Sequence, residues 1–270
     1  LKNPKIDTVY VGIANLVHYE YAKKALLAGK HVILEKPFTV NGAEARELSA
    51  IAKEKNLYVA EAIWTRYMPS RAMIDQVISS GIVGKIHMMT ANLCYPVSAQ
   101  ERCIRPELAG GALLDVGVYC LNFALMHFGD DIERMDSSVR MTDTGVDGQE
   151  SITLHYRDGR IAVLTAGILS RSDRKGIFYG DKGYIIVENI NNPQSISVYD
   201  LTDTLVKKIE VPAQITGYEY QIREAMARIR AGETESASMP LDTTIAVMER
   251  MDALRKDWGL IYPMEREKKN

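Results

Sequence analysis

The sequence predicts an α/β chain in two unequal parts. Residues 1–67 read as part of a doubly wound parallel sheet of the Rossmann type. Residues 68–270 read as an α+β region built on a large antiparallel sheet, with the last helix packing back on the first part. Three observations carry this reading. Over the first third, short strands alternate with helices in β-α-β-α-β order. The strands there are continuous apolar runs rather than alternating ones, as in a parallel sheet covered on both faces. From about Met135 to Glu210 the pattern changes to successive strands joined by tight turns, and two helices close the chain.

The elements follow in order. Thr8-Val9-Tyr10-Val11-Gly12-Ile13 is a β-branched, apolar run bounded by Asp7 and Asn15. Tyr19 to Ala28 carries Tyr21, Ala22, Ala25 and Leu26 at helical spacing, and Gly29 ends it. His31-Val32-Ile33-Leu34 is the second strand, closed by Glu35-Lys36-Pro37. Asn41 with Glu44 three residues on resembles a capping box opening a helix to about Lys55. Leu57 to Ile63 is the third strand. Met73, Val77 and Ile78 mark a helix ending at Gly81, Ile86 to Leu93 a strand, and Ala112 to Phe128 an apolar, buried helix. Arg157-Asp158-Gly159 and Gly180-Asp181-Lys182-Gly183 are hairpin turns, and helices are expected at about Tyr218–Ala231 and Thr243–Trp258.

Composition excludes several classes of function. The formal charge of −2, with Lys and Arg dispersed, provides no basic stripe for nucleic acid. No apolar run approaches the ~20 residues that span a bilayer, and Leu1-Lys2-Asn3-Pro4-Lys5 is no signal peptide. Cys94, Cys103 and Cys120 form no C-x-x-C pair, which points to free thiols in a reducing, cytoplasmic compartment. The five histidines show no H-x-x-x-H spacing, so no metal site is expected.

A parallel sheet places ligands outside the carboxyl ends of its strands. Those ends are Ile13-Ala14-Asn15, Glu35-Lys36-Pro37 and Ala62-Ile63-Trp64. Asp115 and Tyr119, four apart in the apolar helix, share a face; Asp115 also has the residue type of an N-cap. A carboxylate, a phenol and an ammonium on facing elements form an acid/base set, as hydride transfer to or from an alcohol requires. The Lys36 ammonium is expected to lower the Tyr119 pKa and make it a base near neutral pH. The 92–108 loop, with Tyr95, Arg102 and Arg105, is expected to wall the pocket for a hydroxyl-rich or anionic substrate.

Two motifs carry a family resemblance across essentially the whole chain. Glu35-Lys36-Pro37 at a strand end and Gly110-Gly111-Ala112-Leu113-Leu114-Asp115-Val116-Gly117-Val118-Tyr119 resemble the E-K-P and G-G-x-x-x-D-x-G-x-[HY] segments of the Gfo/Idh/MocA oxidoreductases. Asn15-Leu16-Val17-His18 is similar to that family's N-x-x-H segment beside the cofactor. Glu61-Ala62-Ile63-Trp64-Thr65-Arg66-Tyr67-Met68-Pro69 looks like the branch of dimeric dihydrodiol dehydrogenases and NADP-dependent D-xylose dehydrogenases. The resemblance implies Lys36 and Tyr119 as the catalytic pair and Asp115 as an orienting group. It implies Ile13, Asn15, His18, Glu35, Lys36, Pro37, Trp64 and Arg66 around NAD or NADP. It also implies a small polyhydroxylated substrate (a sugar, a polyol or a trans-dihydrodiol) and a homodimer formed through the C-terminal sheet.

One family feature is absent from these residues: there is no G-x-G-x-x-G to hold a pyrophosphate. In the strand order 3-2-1-4-5-6 the chain would begin just before strand 4, short of roughly 60 residues at about 30 per βα unit. It is therefore expected to be a truncated form, inactive by itself, with an unpaired strand edge and with its choice of NAD or NADP not legible. Two other readings keep the fold: an NAD-dependent glycosidase using transient oxidation, and a non-catalytic ligand-sensing or scaffold protein.

Overall fold

The computed structural model describes residues 1–267. The first strands build a three-stranded parallel sheet of order β1-β2-β3, from β1 (Thr8–Val11), β2 (His31–Glu35) and β3 (Val59–Ala62), with β1 at its edge. Between them run a 3₁₀ turn (Asn15–Val17), α1 (His18–Leu27) and α2 (Gly42–Lys55). Gly29 follows α1 with φ +74°, a conformation that costs a side-chain-bearing residue 1–2 kcal/mol or so, about the usual left-handed penalty. Asn41 caps α2 as expected, its side chain accepting from the Glu44 N–H at 3.0 Å. Glu44 returns to the Val40 N–H at 3.4 Å, one residue outside the ideal box.

The second part holds α3 (Pro69–Ser79), β4 (Ile86–Cys94), α4 (Glu101–Ile104), α5 (Val118–Phe128), β5 (Ile132–Met141), β6 (Asp147–Tyr156), β7 (Ile161–Gly167), β8 (Gly176–Gly180), β9 (Gly183–Val187), β10 (Ser195–Asp200) and β11 (Leu205–Glu210). The eight-stranded sheet runs β11-β10-β9-β8-β4-β7-β6-β5. It is not wholly antiparallel: β4 sits at its centre and pairs parallel with β7, because the chain leaves the sheet through α4 and α5 before returning. Its inner face packs under α5, where Leu121, Phe123 and Ala124 meet Ile152, Leu164 and Phe178 in one core.

The apolar 112–128 segment is not one regular helix. Leu113–Gly117 forms a π-turn, and α5 begins only at Val118. Asp115 lies within this turn and caps nothing. The stretch 106–128 does have the length and hydropathy of a membrane span, contrary to the sequence expectation, but 94% of its most apolar window is buried inside the fold. It is the core helix of this part.

The closing helices α6 (Glu219–Arg230), α7 (Leu241–Asp257) and α8 (Pro263–Glu267) return to the first sheet. Ala225 of α6 packs on Ile33, Tyr58, Ala60 and Ala62, covering one face. On the α7 side, Asp252 accepts from the Gly42 N–H at 2.7 Å. Arg255 donates to the Val40 carbonyl at 3.2 Å and pairs with Glu265 at 2.8 Å, which ties α7, α8 and the start of α2 together.

Candidate active site

The strand ends of β1 and β2 face the π-turn across a cavity of about 400 Å³, lined by Tyr10, Gly12, Ile13, Ala14, Asn15, Glu35, Lys36, Arg102, Leu108 and Asp115. A slightly larger hollow of about 480 Å³ lies between the start of β5 and α7, but it is an open surface groove without an acid/base set. The strand-end cavity is the candidate site, because it gathers Lys36, Glu35 and Asp115.

Lys36 is the centre of the site. Its Nζ donates to the Asp115 main-chain carbonyl at 2.6 Å and to Asp115 Oδ1 at 3.0 Å, and it stands 5.1 Å from the centroid of the Tyr119 ring. Asp115 Oδ1 also accepts from Arg102 Nη1 at 2.9 Å, and Oδ2 receives the Cys103 thiol at 3.6 Å. Burial works to raise the Asp115 pKa, but the Lys36 and Arg102 charges outweigh it and hold the carboxyl below its ordinary value. The structure thus brings together Lys36, Asp115 and Tyr119, with Lys36 and Asp115 on the cavity wall and Tyr119 buried behind Lys36.

The expected effect of Lys36 on Tyr119 is overturned. Burial pushes the Tyr119 phenol well up, reinforced by Glu35 and Tyr218, with the Trp64 indole opposing. The ammonium lies over the ring face rather than on the hydroxyl. At neutral pH Tyr119 is a neutral phenol, a proton donor before it is a base.

The other predicted positions divide. Ile13 and Asn15 line the cavity, with Ile13 45% exposed although apolar, and Glu35 does too. Glu35 accepts from the Tyr10 hydroxyl and from the Lys36 N–H at 3.2 Å. His18 is buried behind the strand ends. Its Nδ1 lies 2.8 Å from the Pro37 carbonyl and its Nε2 3.0 Å from the Ile13 carbonyl, so it ties β1 to β2 and does not reach the cavity. Burial lowers its pKa, against the pull of the two carbonyls. Pro37 is likewise buried and contributes this carbonyl.

Trp64 stacks on Tyr218, ring centroids 4.6 Å apart and 9° from parallel, beside Tyr119. Arg66 does not join it. It is 4% exposed, turned toward α5, and its Nε donates to Asn122 Oδ1 at 2.5 Å. Burial, then Arg71, lowers its pKa to about 10. Asn122 also donates to the Val118 carbonyl at 2.8 Å. Replacing Asn122 by Leu leaves this guanidinium without its acceptor and is expected to cost about 2–3 kcal/mol, read as a lowered urea midpoint.

Of the loop residues, Arg102 reaches the cavity. Arg105 forms only exposed pairs with Glu101 and Glu107, and Tyr95 lies under Arg174, its hydroxyl accepting from Asn191. Arg102→Ala frees Asp115 Oδ1 of one partner and lets its pKa move back up. The expected result is KM raised about three- to tenfold with a smaller change in kcat, measured by steady-state kinetics. Sequence reasoning missed Tyr10, which it read only as a strand residue, and Tyr218, which comes from the start of α6 with no local motif. Among the described residues no group of three His, Cys, Asp or Glu side chains is placed to hold a metal ion.

A nicotinamide end suits this cavity. Gly12 at its wall leaves room that a β-carbon would take from Tyr10, at 3.1 Å, and Glu35. Lys36 and Asn15 supply polar groups and Ile13 an apolar surface for a flat ring.

Comparison with known proteins agrees with this fold. Residues 1–62 match a family described as an oxidoreductase family with an NAD-binding Rossmann fold, and residues 72–186 match the GFO/IDH/MocA C-terminal domain. The chain is 32% identical to trans-1,2-dihydrobenzene-1,2-diol dehydrogenase of Xenopus laevis, over 97% of this chain and 81% of that protein. It is 28% identical to the scyllo-inositol 2-dehydrogenase (NADP(+)) IolU of Bacillus subtilis, covering 96% and 80%. Among solved structures it superposes on KijD10, a 3-ketoreductase from Actinomadura kijaniata in complex with NADP and TDP-benzene. The TM-score is 0.87 at 25% identity, over 94% of this chain and 79% of that one.

Proposed function

Because the chain belongs to the Gfo/Idh/MocA family of NAD(P)-dependent oxidoreductases, we propose that it interconverts a secondary alcohol and a ketone on a sugar, a polyol or a trans-dihydrodiol at the Lys36–Asp115–Tyr119 set. The observation that carries this is the placement of Lys36 Nζ between Asp115 and the Tyr119 ring at the carboxyl end of β2. NAD or NADP supplies or accepts the hydride when bound. Gly12, Ile13, Asn15 and Lys36 would hold its nicotinamide end.

The chain's own residues handle the proton and the charge. In the reductive direction the neutral Tyr119 phenol donates its proton to the oxygen of the forming alcohol. In the oxidative direction that proton returns through Tyr119. The Lys36 ammonium, fixed by two bonds to Asp115, stabilises negative charge on the reacting oxygen. Asp115 and Arg102 orient neighbouring hydroxyls. A wall of Glu35, Asn15, Asp115 and Arg102 supports a polyhydroxylated substrate.

Three finer readings belong to the same proposal. The division near residue 67 separates a cofactor half from a substrate half. A homodimer forms through the outer face of the eight-stranded sheet, where Tyr184 and Tyr199 stack at 5.0 Å beside Tyr179. Buried free thiols at Cys94, Cys103 and Cys120 support a reducing, cytoplasmic setting.

The test is titration with NADH and NADPH followed by nicotinamide fluorescence, then a screen of sugars, polyols and diols for net cofactor reduction. Binding with net reduction supports the dehydrogenase. Binding with turnover but no net reduction favours the glycosidase chemistry. A folded protein that binds neither nucleotide, even with a G-x-G-x-x-G βα unit supplied ahead of Leu1, overturns the catalytic reading and favours a scaffold.

A further inference from the structure

β6 turns alternate residues into the core, and from Glu150 onward these are Glu150, Ile152, Leu154 and Tyr156. A carboxyl thus occupies the first of four inward positions, where an aliphatic side chain would pack. Glu150 is 3% exposed, and among the described residues neither of its oxygens has a hydrogen-bond partner. It lies against the π-turn: a β-carbon on Gly117 would come within 2.5 Å of Glu150 Oε1. Asp147, three residues earlier and wholly buried, grips the other end of the same turn. Its Oδ2 accepts from the Leu113 N–H at 2.5 Å, and a β-carbon on Gly111 would fall 2.0 Å from its Oδ1. The two motif glycines therefore leave the space that two acids fill. Single π-turns occur mostly inside helices and are frequent at functional sites; this one carries Asp115 and leads directly into Tyr119.

We propose that Asp147 and Glu150 are positioning residues, a buried acid pair that holds the π-turn in the shape that presents Asp115 and Tyr119, and does so only while at least one of the two carboxyls keeps its proton. The turn's catalytic meaning rests on the reaction proposed above; the pair's grip on the turn does not.

The surroundings support a neutral partner. Glu150 is pushed well up by burial, then by Asp147 and Cys94; Asp147 is pushed up to about 7, burial outweighing the Leu113 N–H. Cys94 faces the pair from β4, Cys120 from α5 and Tyr262 from before α8, all of them groups that ionise to anions. Arg255 of α7 is the cation acting on Asp147, and it is already committed to Asp252 and Glu265. Two buried carboxylates sharing one region do not both ionise cheaply. Both folded values are raised, so the folded chain binds more protons than the unfolded chain above the ordinary carboxylate range. The stability this pair contributes is complete below the unfolded value and is lost as pH rises through the folded one.

The test compares the protein with its Glu150→Gln and Asp147→Asn variants, each of which removes one titration and keeps the shape. Hydrogen–deuterium exchange of the 110–121 peptide, corrected for intrinsic rates, is followed from about pH 7 to about pH 9. The protein should lose protection in this peptide as pH rises, and both variants should hold it. In alcohol oxidation, the ratio of kcat at about pH 9 to that at about pH 7 should be about tenfold higher in Glu150→Gln, as loosening of a positioning turn predicts. Equal pH dependence of exchange in the protein and both variants overturns the pair. A difference in exchange with the same kcat ratio overturns the positioning role. If the unaltered protein turns nothing over, the exchange result still decides the pair. Should Glu150→Gln fail to fold, Asp147→Asn decides it.

Discussion

Replacing Lys36 by Met is expected to lower kcat/KM by about 10³-fold or more, the scale of losing an electrostatic stabiliser aimed at developing charge in a site shielded from water. The methylene stem keeps its packing, so the loss is electrostatic. Among the described residues Lys36 Nζ is the only ammonium on the cavity wall, and it is held 2.6 Å from one Asp115 oxygen and 3.0 Å from another. Without it, Asp115 keeps Arg102 at 2.9 Å, so the carboxylate is not left bare and the fold survives. Thermal melts of the variant should stay within a few degrees of the unaltered protein, about 1 kcal/mol on a chain of this size. Lys36→Arg should not rescue, because the longer guanidinium spreads its charge over a planar fork and cannot place a compact point charge where the Lys36 ammonium stands. Turnover kept within about threefold in Lys36→Met would remove Lys36 from the chemistry.

Much of this was legible because it depends on periodicity. Continuous apolar strands and helix-stop residues place Glu35-Lys36-Pro37 at a ligand-side strand end before any coordinates are known. The capping role of Asn41 follows from residue type alone. What was not legible depends on geometry finer than spacing. Trp64 and Arg66 are two apart and read as one site, but they sit on a 3₁₀ turn of three residues per turn, so their side chains diverge. Trp64 meets Tyr218 and Arg66 meets Asn122.

The π-turn is another case. An apolar run from Ala112 to Phe128 looks like an uninterrupted helix, and nothing local signals the wider ring. Its cause lies some thirty residues on, in the buried acids of β6, and no local pattern links that strand to this turn. Tyr218 is missed for the same reason of distance: α6 is set against the first sheet by Ala225, and only that packing carries its first turn to Trp64. The pKa of Tyr119 needs both facts at once. A lysine nearby argues for a lowered value, and only the coordinates show burial winning.

Tyr119→Phe is the second large effect expected, a fall of about 10²- to 10⁴-fold in kcat, as for removal of a general acid or base. The ring remains to pack against Trp64 and under Lys36, so KM should move far less than kcat; an interaction made mainly in the transition state is lost. The pH profile carries the sharper test. Because burial raises the phenol well above its ordinary value, ketone reduction should be flat on account of Tyr119 across the neutral range. Alcohol oxidation, which needs a proton acceptor, should climb with pH through the same range. Tyr119→His replaces the phenol by a group that ordinarily titrates near about 6.5. It should recover part of the oxidation rate lost in Tyr119→Phe and shift the rise of that rate to lower pH. If Tyr119→Phe and the unaltered protein show parallel profiles and rates within about threefold of each other, proton transfer passes through another group on the cavity wall, where Lys36, Glu35 and Tyr10 stand.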